Sequence, residues 1–471
     1  MKNIKFLLII SAAVFYLPVI ARAQTITQSQ FLEQLKQRHP LFDKEKLTAQ
    51  IEMEERNSYL GAQDWNFLSS ATFSHEEPAI AFAGPEKTDA FALNGGVERV
   101  FWNTGGRLGA SFTTSTAKIN PTFGFSMPFY QNEFAINYIH PLLKNRKGFL
   151  DRLQFNLKQF DIDFSEVQAI ENIEDFLAIC ASQFLDWVYL TEHKKIIDER
   201  LRLSVEEFDR TKRKREANLV DQANVIRAED AVRIWKQNQV LVESQWKALQ
   251  AKLAVLSQDK NINNLTPEFN LYQVKVLGSL EEDLLKLKND SRLIRVLLVK
   301  LDQLELVRKS YQHTLQPDLS LIALLNTKKL ETGFGKSLEM DKPDVIVGLH
   351  FSLPLGNRTA KSQITKTELQ ISQLKKQIDE ITLTLTSELT NLNIQLVEMK
   401  SVLELNQEQI ESAKERTREE LKLYNQGRGD LTFVILSQDN EQNAKLIYAQ
   451  NALTYHKLTI QYDALSDQLY K

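Results

Sequence analysis

The chain has 471 residues, a formal net charge of −3 and one cysteine, Cys180. Those values exclude a disulfide framework, a cysteine metal site and the basic balance that nucleic acid would ask for. With 16 Gly and 11 Pro in all, and long tracts that hold neither, the composition suits long helices with few turns rather than two or three ordinary globular domains.

Lys2 and Lys5 precede the apolar run Phe6–Leu17, and Ala21-Arg22-Ala23 is a small-x-small cleavage site. Residues 1–23 therefore read as an export signal that leaves Gln24 as the mature N-terminus. A membrane anchor is the alternative reading, but the run is short for spanning and Pro18 interrupts its end. No cysteine follows the cleavage site, so a lipoprotein is not expected. No later run approaches the length of a spanning helix. An exported chain of this kind is periplasmic, secreted, or held in the membrane as a β-barrel.

Residues 25–64 read as helices broken at His39-Pro40. The period then changes. Leu68–His75 is a strand candidate, and Ala90–Trp102 sets Phe91, Leu93, Val97 and Phe101 against Ala92, Asn94, Glu98 and Val100. Asn103-Thr104-Gly105-Gly106 is a tight-turn signal. Arg107–Thr116 alternates again, Lys118–Asn132 reads as a loop with Pro121 and Pro128, and Glu133–Ile139 is the last strand of this group. The aromatic density suits lipid-facing strands with interfacial girdles, a soluble β-domain with an aromatic core being the alternative.

From Leu142 the period is helical. Apolar residues at 153, 157, 160, 164, 167, 170, 173, 177, 180, 184 and 187 form a seam with steps of three and four, the pattern of coiled-coil packing. Two helical tracts, to about Glu216 and from Leu219 to Leu256, flank a turn at Ala217-Asn218-Leu219-Val220-Asp221. Some 70 helical residues reach about 100 Å, a length that fits a rod or a tunnel.

The plan then recurs. Residues 257–272 link, and 279–315 are helical. Asp318–Asn326 and Val345–Leu353 alternate around a polar loop at 327–342, and a second helical seam runs from Ile364 to Tyr424. A turn at Asn425–Asp430 leads into a last helix from Leu431 nearly to Lys471. Each half carries a strand, a proline (Pro141, Pro354) and an Asn-Arg pair (Asn145-Arg146, Asn357-Arg358) where strand gives way to long helix. Proline lacks the amide proton of a strand ladder and disfavours helix just before it, so both prolines mark hinges. The chain reads as two repeats, 24–265 and 266–471. Their strands lie at about 67–141 and 317–354, and their long helical hairpins at 142–256 and 356–470. The tips fall at 217–221 and 426–430.

No catalytic constellation is visible. The seven histidines have no metal-ligand spacing and no Gly-rich phosphate loop occurs, so neither an enzyme nor a cofactor or metal is expected. Arg210–Arg215 is a basic run before the first tip, read either as a solvated helix end near its negative pole or as a partner contact. Arg428-Gly429-Asp430 spells an adhesion tripeptide, read as coincidence in a turn. Cys180, on an apolar face, reads as a buried structural thiol.

The duplicated plan resembles the TolC-like outer-membrane efflux factors over essentially all of Gln24–Lys471. The residues that carry it are the hinges at Pro141 and Pro354, the strand start Pro317–Leu321, and the tip Tyr424-Asn425-Gln426-Gly427 followed by Val434-Ile435-Leu436. The resemblance implies a mainly α fold with β-barrel strands. In it three identical chains form one barrel in the outer membrane of a Gram-negative bacterium, in contact with its lipid, continued by an α-helical barrel through the periplasm. It implies a passive exit duct for tripartite efflux or type I secretion. A periplasmic adaptor (membrane fusion protein) and an inner-membrane pump of the RND, ABC or MFS type would open it. It places adaptor docking at Asn218, Leu219, Val220, Gly427, Arg428 and Gly429. Tyr424 matches a position that tethers the closed tip. Where some members close the tip with aspartates, this chain has Phe433 and Leu436, with Asn224 in the first half, while Asp221 and Asp430 lie nearby. Family members normally give four strands each, which makes the hairpin around Asn103–Gly106 extra, either widening the barrel or sitting on it. The alternative reading is a periplasmic coiled-coil adaptor or scaffold.

Overall fold

A computed structural model describes residues 25–77, 85–121, 125–340 and 342–470. The expected export signal, 1–23, lies outside the described residues, as do 78–84 and, within the stretch read as a loop, 122–124.

The chain opens with a short strand, β1 (Thr25–Thr27). Thr27 then caps helix α1 (Gln28–Arg38) in a reciprocal capping box with Gln30, which satisfies two amides at the helix start. Helix α2 (Pro40–Ser58) begins with proline in its first turn, where a missing amide proton does no harm. Four strands follow: β2 (Asn66–Glu76), β3 (Pro85–Phe101), β4 (Gly106–Pro121) and β5 (Met127–Pro141). Helix α3 (Leu153–Glu216) has 64 residues and α4 (Gln222–Leu256) has 35. Strand β6 (Thr266–Glu268) pairs in parallel with β1. Helices α5 (Leu280–Asp290) and α6 (Arg292–Leu315) lead to β7 (Asp318–Glu331), a single turn α7 (Phe334–Ser337) and β8 (Pro343–Ser352). Helix α8 (Arg358–Asn425) has 68 residues and α9 (Leu431–Leu465) has 35. At 1.5 Å per residue α3 and α8 are each about 100 Å long.

The largest core cluster lies where α1, α3, α4, α8 and α9 meet. Phe31, Phe184, Trp187, Leu253, Leu389, Leu396 and Tyr455 are buried there. The segment between α4 and α5 is tied onto it by polar contacts. Gln250 donates to the carbonyls of Ile262 and Leu265, and Tyr455 donates to that of Lys275.

The six strands β2, β3, β4, β5, β7 and β8 form one antiparallel sheet in that order. Its register puts Phe67, Phe73, Phe91, Leu93, Val97, Phe112, Phe134, Leu325, Val345, Val347 and Leu349 on a single face. All of them are large, apolar and exposed. The opposite face carries Asn94, Ser111, Thr113, Gln131, Asn326 and Asp344 among apolar residues. An apolar face this wide cannot rest in water.

The structure corrects several sequence expectations. Lys118–Asn132 is not a loop, because β4 runs to Pro121 and β5 starts at Met127. Both prolines sit at strand ends, where no ladder amide is missed. Likewise β7 continues to Glu331 through what reads as a polar loop. The first long helix starts at Leu153, not Leu142. Between lie a 3-10 turn and two left-handed residues, Lys147 and Gly148. The last helix stops at Leu465, and the short strands β1 and β6 lie within stretches that read as helix and as linker.

Candidate functional site

The two helical tips are built alike. At the first, Asn218 has φ 58°; its amide donates to the Arg215 carbonyl, and that of Leu219 to the Lys214 carbonyl. At the second, Gly427 has φ 73°; its amide donates to the Tyr424 carbonyl, and that of Arg428 to the Leu423 carbonyl. Each is a Schellman closure, in which one left-handed residue lets two later amides cap orphan carbonyls of the helix end. Asn and Gly are the residues that reach that conformation at least cost. The Gly429 amide also donates to the Leu423 carbonyl, and a Cβ on Gly429 would lie 2.9 Å from the Tyr424 nitrogen. Asp430 then caps α9, accepting from the Thr432 amide at 2.7 Å, and hydrogen bonding by the Thr432 side chain and then its backbone holds the carboxyl below the usual range.

Just inside the tips, Tyr424 is 5% exposed and packs with Ala228, Leu431 and Val434. Lys214 sits over its ring, 3.5 Å from the centroid, a cation–π contact between α3 and α8. Burial pushes the Tyr424 hydroxyl up and the Lys214 ammonium down. Asn218, Leu219, Gly427 and Arg428 are exposed, Val220 and Gly429 partly so. Asp221 is exposed and begins α4 without a side-chain cap. Phe433 and Leu436 are 53% and 45% exposed, turned away from the side of α9 that buries Leu431 and Val434.

Arg227, which the sequence reading passes over, brings two expected tip residues together. Its guanidinium donates to Asn224 at 2.9 Å and lies 3.9 Å from Asp430. The basic run before the first tip is not one block either. Arg210 reaches Asn425 of α8 and Glu207 of its own helix, Thr211 is buried, and Lys212 and Arg213 are exposed.

Deeper along the hairpins, Arg200 of α3 is 1% exposed. It donates to Asp439 of α9 through two nitrogens at 2.9 and 2.7 Å, and to Ser204 at 2.6 Å. The indole of Trp235 on α4 donates to the same Asp439 oxygen at 3.3 Å. One charge pair, buried on its arginine side and a third exposed on its aspartate side, thus joins three helices. Glu171, Glu174 and Asp467 also cluster, but Arg292 fills the centre: its Nε donates to Glu171 at 2.6 Å, and its guanidinium contacts Glu174 and Asp467. That cation supplies the charge a metal would otherwise bring.

At the first hinge, Pro141 ends β5 and Asn145 accepts from the Leu150 amide while donating to Asp151. At the second, Pro354 and the left-handed Gly356 and Asn357 lead directly into α8. Among the described residues no helix is long and apolar enough to cross a membrane.

Neither the protein-family models nor the curated proteins contain a match to this sequence. Solved structures do match. The CmeC outer-membrane channel of Campylobacter jejuni aligns with a TM-score of 0.67 at 13% identity, over 94% of this chain and 86% of that one. The outer-membrane protein VceC of Vibrio cholerae aligns at 0.64 and 11%, over 94% and 95%. The MtrE outer-membrane channel of Neisseria gonorrhoeae, in its open state, aligns at 0.65 and 14%, over 94% and 89%. The sheet, the paired long helices and the two tips described above therefore make up, nearly end to end, the fold of the TolC-like outer-membrane efflux channels.

Proposed function

We propose that the chain is one of three identical subunits of an exit duct in the outer membrane, a doubled strand-and-hairpin unit that serves tripartite efflux or type I secretion. The carrying observation is the sheet's continuous exposed apolar face, joined to helices about 100 Å long. Such a face belongs in hydrocarbon. An open sheet edge in lipid would leave amides and carbonyls unpaired, so several copies must close the wall. The helices continue the passage through the periplasm. The exposed tips, Asn218–Val220 and Gly427–Gly429, receive the adaptor, and the pump chooses the cargo. Phe433 and Leu436 narrow the closed tip by apolar contact, with Tyr424, Arg227, Asn224 and Asp430 holding the two hairpins together there; Asp221 adds negative charge at the rim.

Fractionation tests the reading. The protein should resist carbonate extraction and run as a trimer in mild detergent. Release by carbonate as a monomer would favour the periplasmic adaptor instead.

A further inference from the structure

We infer that the hairpin of β3 and β4 is part of the membrane wall, so that each chain brings six strands and three chains close a barrel of eighteen. This rests on the exit-duct reading and deepens it. Four strands per chain would build a narrower cylinder, with the hairpin lying outside it.

Three observations place the hairpin in the wall. The first is register. Strands β3 and β4 are inserted between β2 and β5, and pairing is unbroken from Asn66 through Glu98 and Gly109 to Asn137. Side chains alternate across a sheet, so continuous register keeps one face common to all the strands.

The second is the height of the apolar band. On the outer face of β3, Phe91, Leu93, Gly95 and Val97 lie between Asp89 and Arg99. The row above is charged across three strands, His75 beside Asp89 beside Lys118. The row below has Arg99 stacked near the rings of Trp65 and Phe101. Ten residues of strand tilted by about 40° rise roughly 25 Å, the height of a lipid-facing band with its girdles. On β4 the same face, Ala110, Phe112, Thr114 and Thr116, is uncharged. A hairpin standing in water would have no reason for such a band.

The third is the turn. Trp102 is 5% exposed and packs edge-on against Phe155 near the start of α3, with ring centroids 5.5 Å apart. Gly105 has φ 75°, and a Cβ there would lie 2.6 Å from the Asn145 carbonyl oxygen. The turn is therefore seated where β5 hands over to helix, at the inner rim of the wall.

The occupant of the two open edges is a second copy of this chain. In an antiparallel sheet of six strands the edge strands, β2 and β8, run in opposite directions. The next copy can then continue the ladder antiparallel without a change of rule. Both edges carry exposed apolar side chains on the inner face as well, Leu68 and Ile346, as suits a seam. Six strands are fewer than the eight of the smallest closed barrels, whereas eighteen leave an aqueous channel. With hydroxyls and amides such as Ser111, Thr113 and Asn94 on the inner face, the outer-membrane end is a wide, wetted exit for hydrated polar cargo. The narrow point is the helical tip.

Single cysteines test this in the membrane-embedded oligomer. The native Cys180 is 1% exposed and burial pushes its thiol up to about 11, so it stays silent. A charged, membrane-impermeant thiol reagent should label Ser111→Cys more than about tenfold faster than Ala110→Cys or Val347→Cys, since access controls thiolate reactivity. A lipid-soluble maleimide should label the latter two. Equal labelling of Ser111→Cys and Ala110→Cys by the charged reagent, with Val347→Cys protected, overturns the hairpin's place and leaves the duct standing. Labelling of Val347→Cys as well, with release by carbonate, sinks the duct reading itself. Independently, Ser70→Cys combined in turn with Ile346→Cys, Gly348→Cys or His350→Cys should give a covalent trimer on oxidation. Failure of every pair in protein that still assembles overturns the edge assignment.

Discussion

The two strand-to-helix hinges share a sequence pattern and differ in packing. At the first, a 3-10 turn with Lys147 and Gly148 at positive φ separates β5 from α3, and the turn between β3 and β4 is driven into it. A Cβ on Gly148 would collide with the Trp102 carbonyl oxygen. At the second, Leu355 is 94% exposed, nothing among the described residues lies within 4 Å of a Cβ on Gly356, and α8 begins at once at Arg358. Similar residues therefore do two jobs. The first hinge is braced inside its own chain by the added hairpin. The second presents a bare leucine, the kind of surface a neighbouring subunit covers.

The sharpest way to break this contrast is a valine at each hinge glycine. Gly148→Val must move a backbone carbonyl and holds a β-branched residue at φ 61°. A cost of about 4 kcal/mol or more is expected, since both overpacking and backbone strain act there. Gly356→Val meets open space and carries the strain of φ 97° alone, about 1–3 kcal/mol. The measurement is the yield of detergent-resistant oligomer in the outer-membrane fraction. Equal losses would remove the distinction between the hinges.

The next step separates bracing from subunit contact. Trp102→Ala removes a buried indole and should cost about 3–5 kcal/mol, read as a lower melting temperature. Leu355→Ala removes nothing buried within the chain and should leave the melting of the isolated subunit unchanged. A fall in trimer yield at normal expression is expected only for the leucine's role between chains. A trimer indifferent to Leu355→Ala would show that the second hinge is simply bare.

The tips give a smaller effect of the same kind. Gly427→Val sets a β-branched side chain at φ 73° in a closure with free space around it, which costs about 1–2 kcal/mol. Barrel insertion should be normal and export impaired. Export at wild-type rate with normal protein levels would argue that the second tip does not dock a partner.

How much of this was legible in the sequence varies by element. The long helices were, because seams such as Leu177, Cys180, Phe184 and Trp187 must be buried to hold a helix of that length. The left-handed tip residues were too, since Asn218 and Gly427 stand where a helix must turn. Strand ends were not. Above the apolar band the same face turns polar, at Lys87, Asp89 and Lys118, so alternation fades and strand reads as loop. The contacts that join the hairpins were hidden for another reason. Arg200 and Asp439, like Arg227 and Asp430, are far apart in sequence and meet only after the helices pack. The one local hint was Lys214 within a basic run, ten residues before Asn224, with no sign that it would cover Tyr424.

The smallest structural effect, with the most direct functional readout, concerns Phe433 and Leu436. Both are half-exposed on α9, one turn apart, while Leu431 and Val434 fill the tip core. Replacing both with serine takes little from the packed interior of the subunit, so stability should change by less than about 1 kcal/mol, as for most surface substitutions. If they form the apolar narrowing, serine hydroxyls would let water fill it, and single-channel conductance in a planar bilayer should rise. Tyr424→Phe is the matched comparison. It removes only a buried hydroxyl that has no hydrogen-bond partner among the described residues, and should leave conductance where it was. Unchanged conductance in the double serine variant, with the trimer intact, would move the constriction elsewhere. The next candidate is the level where Arg200, Trp235 and Asp439 bind α3, α4 and α9 together.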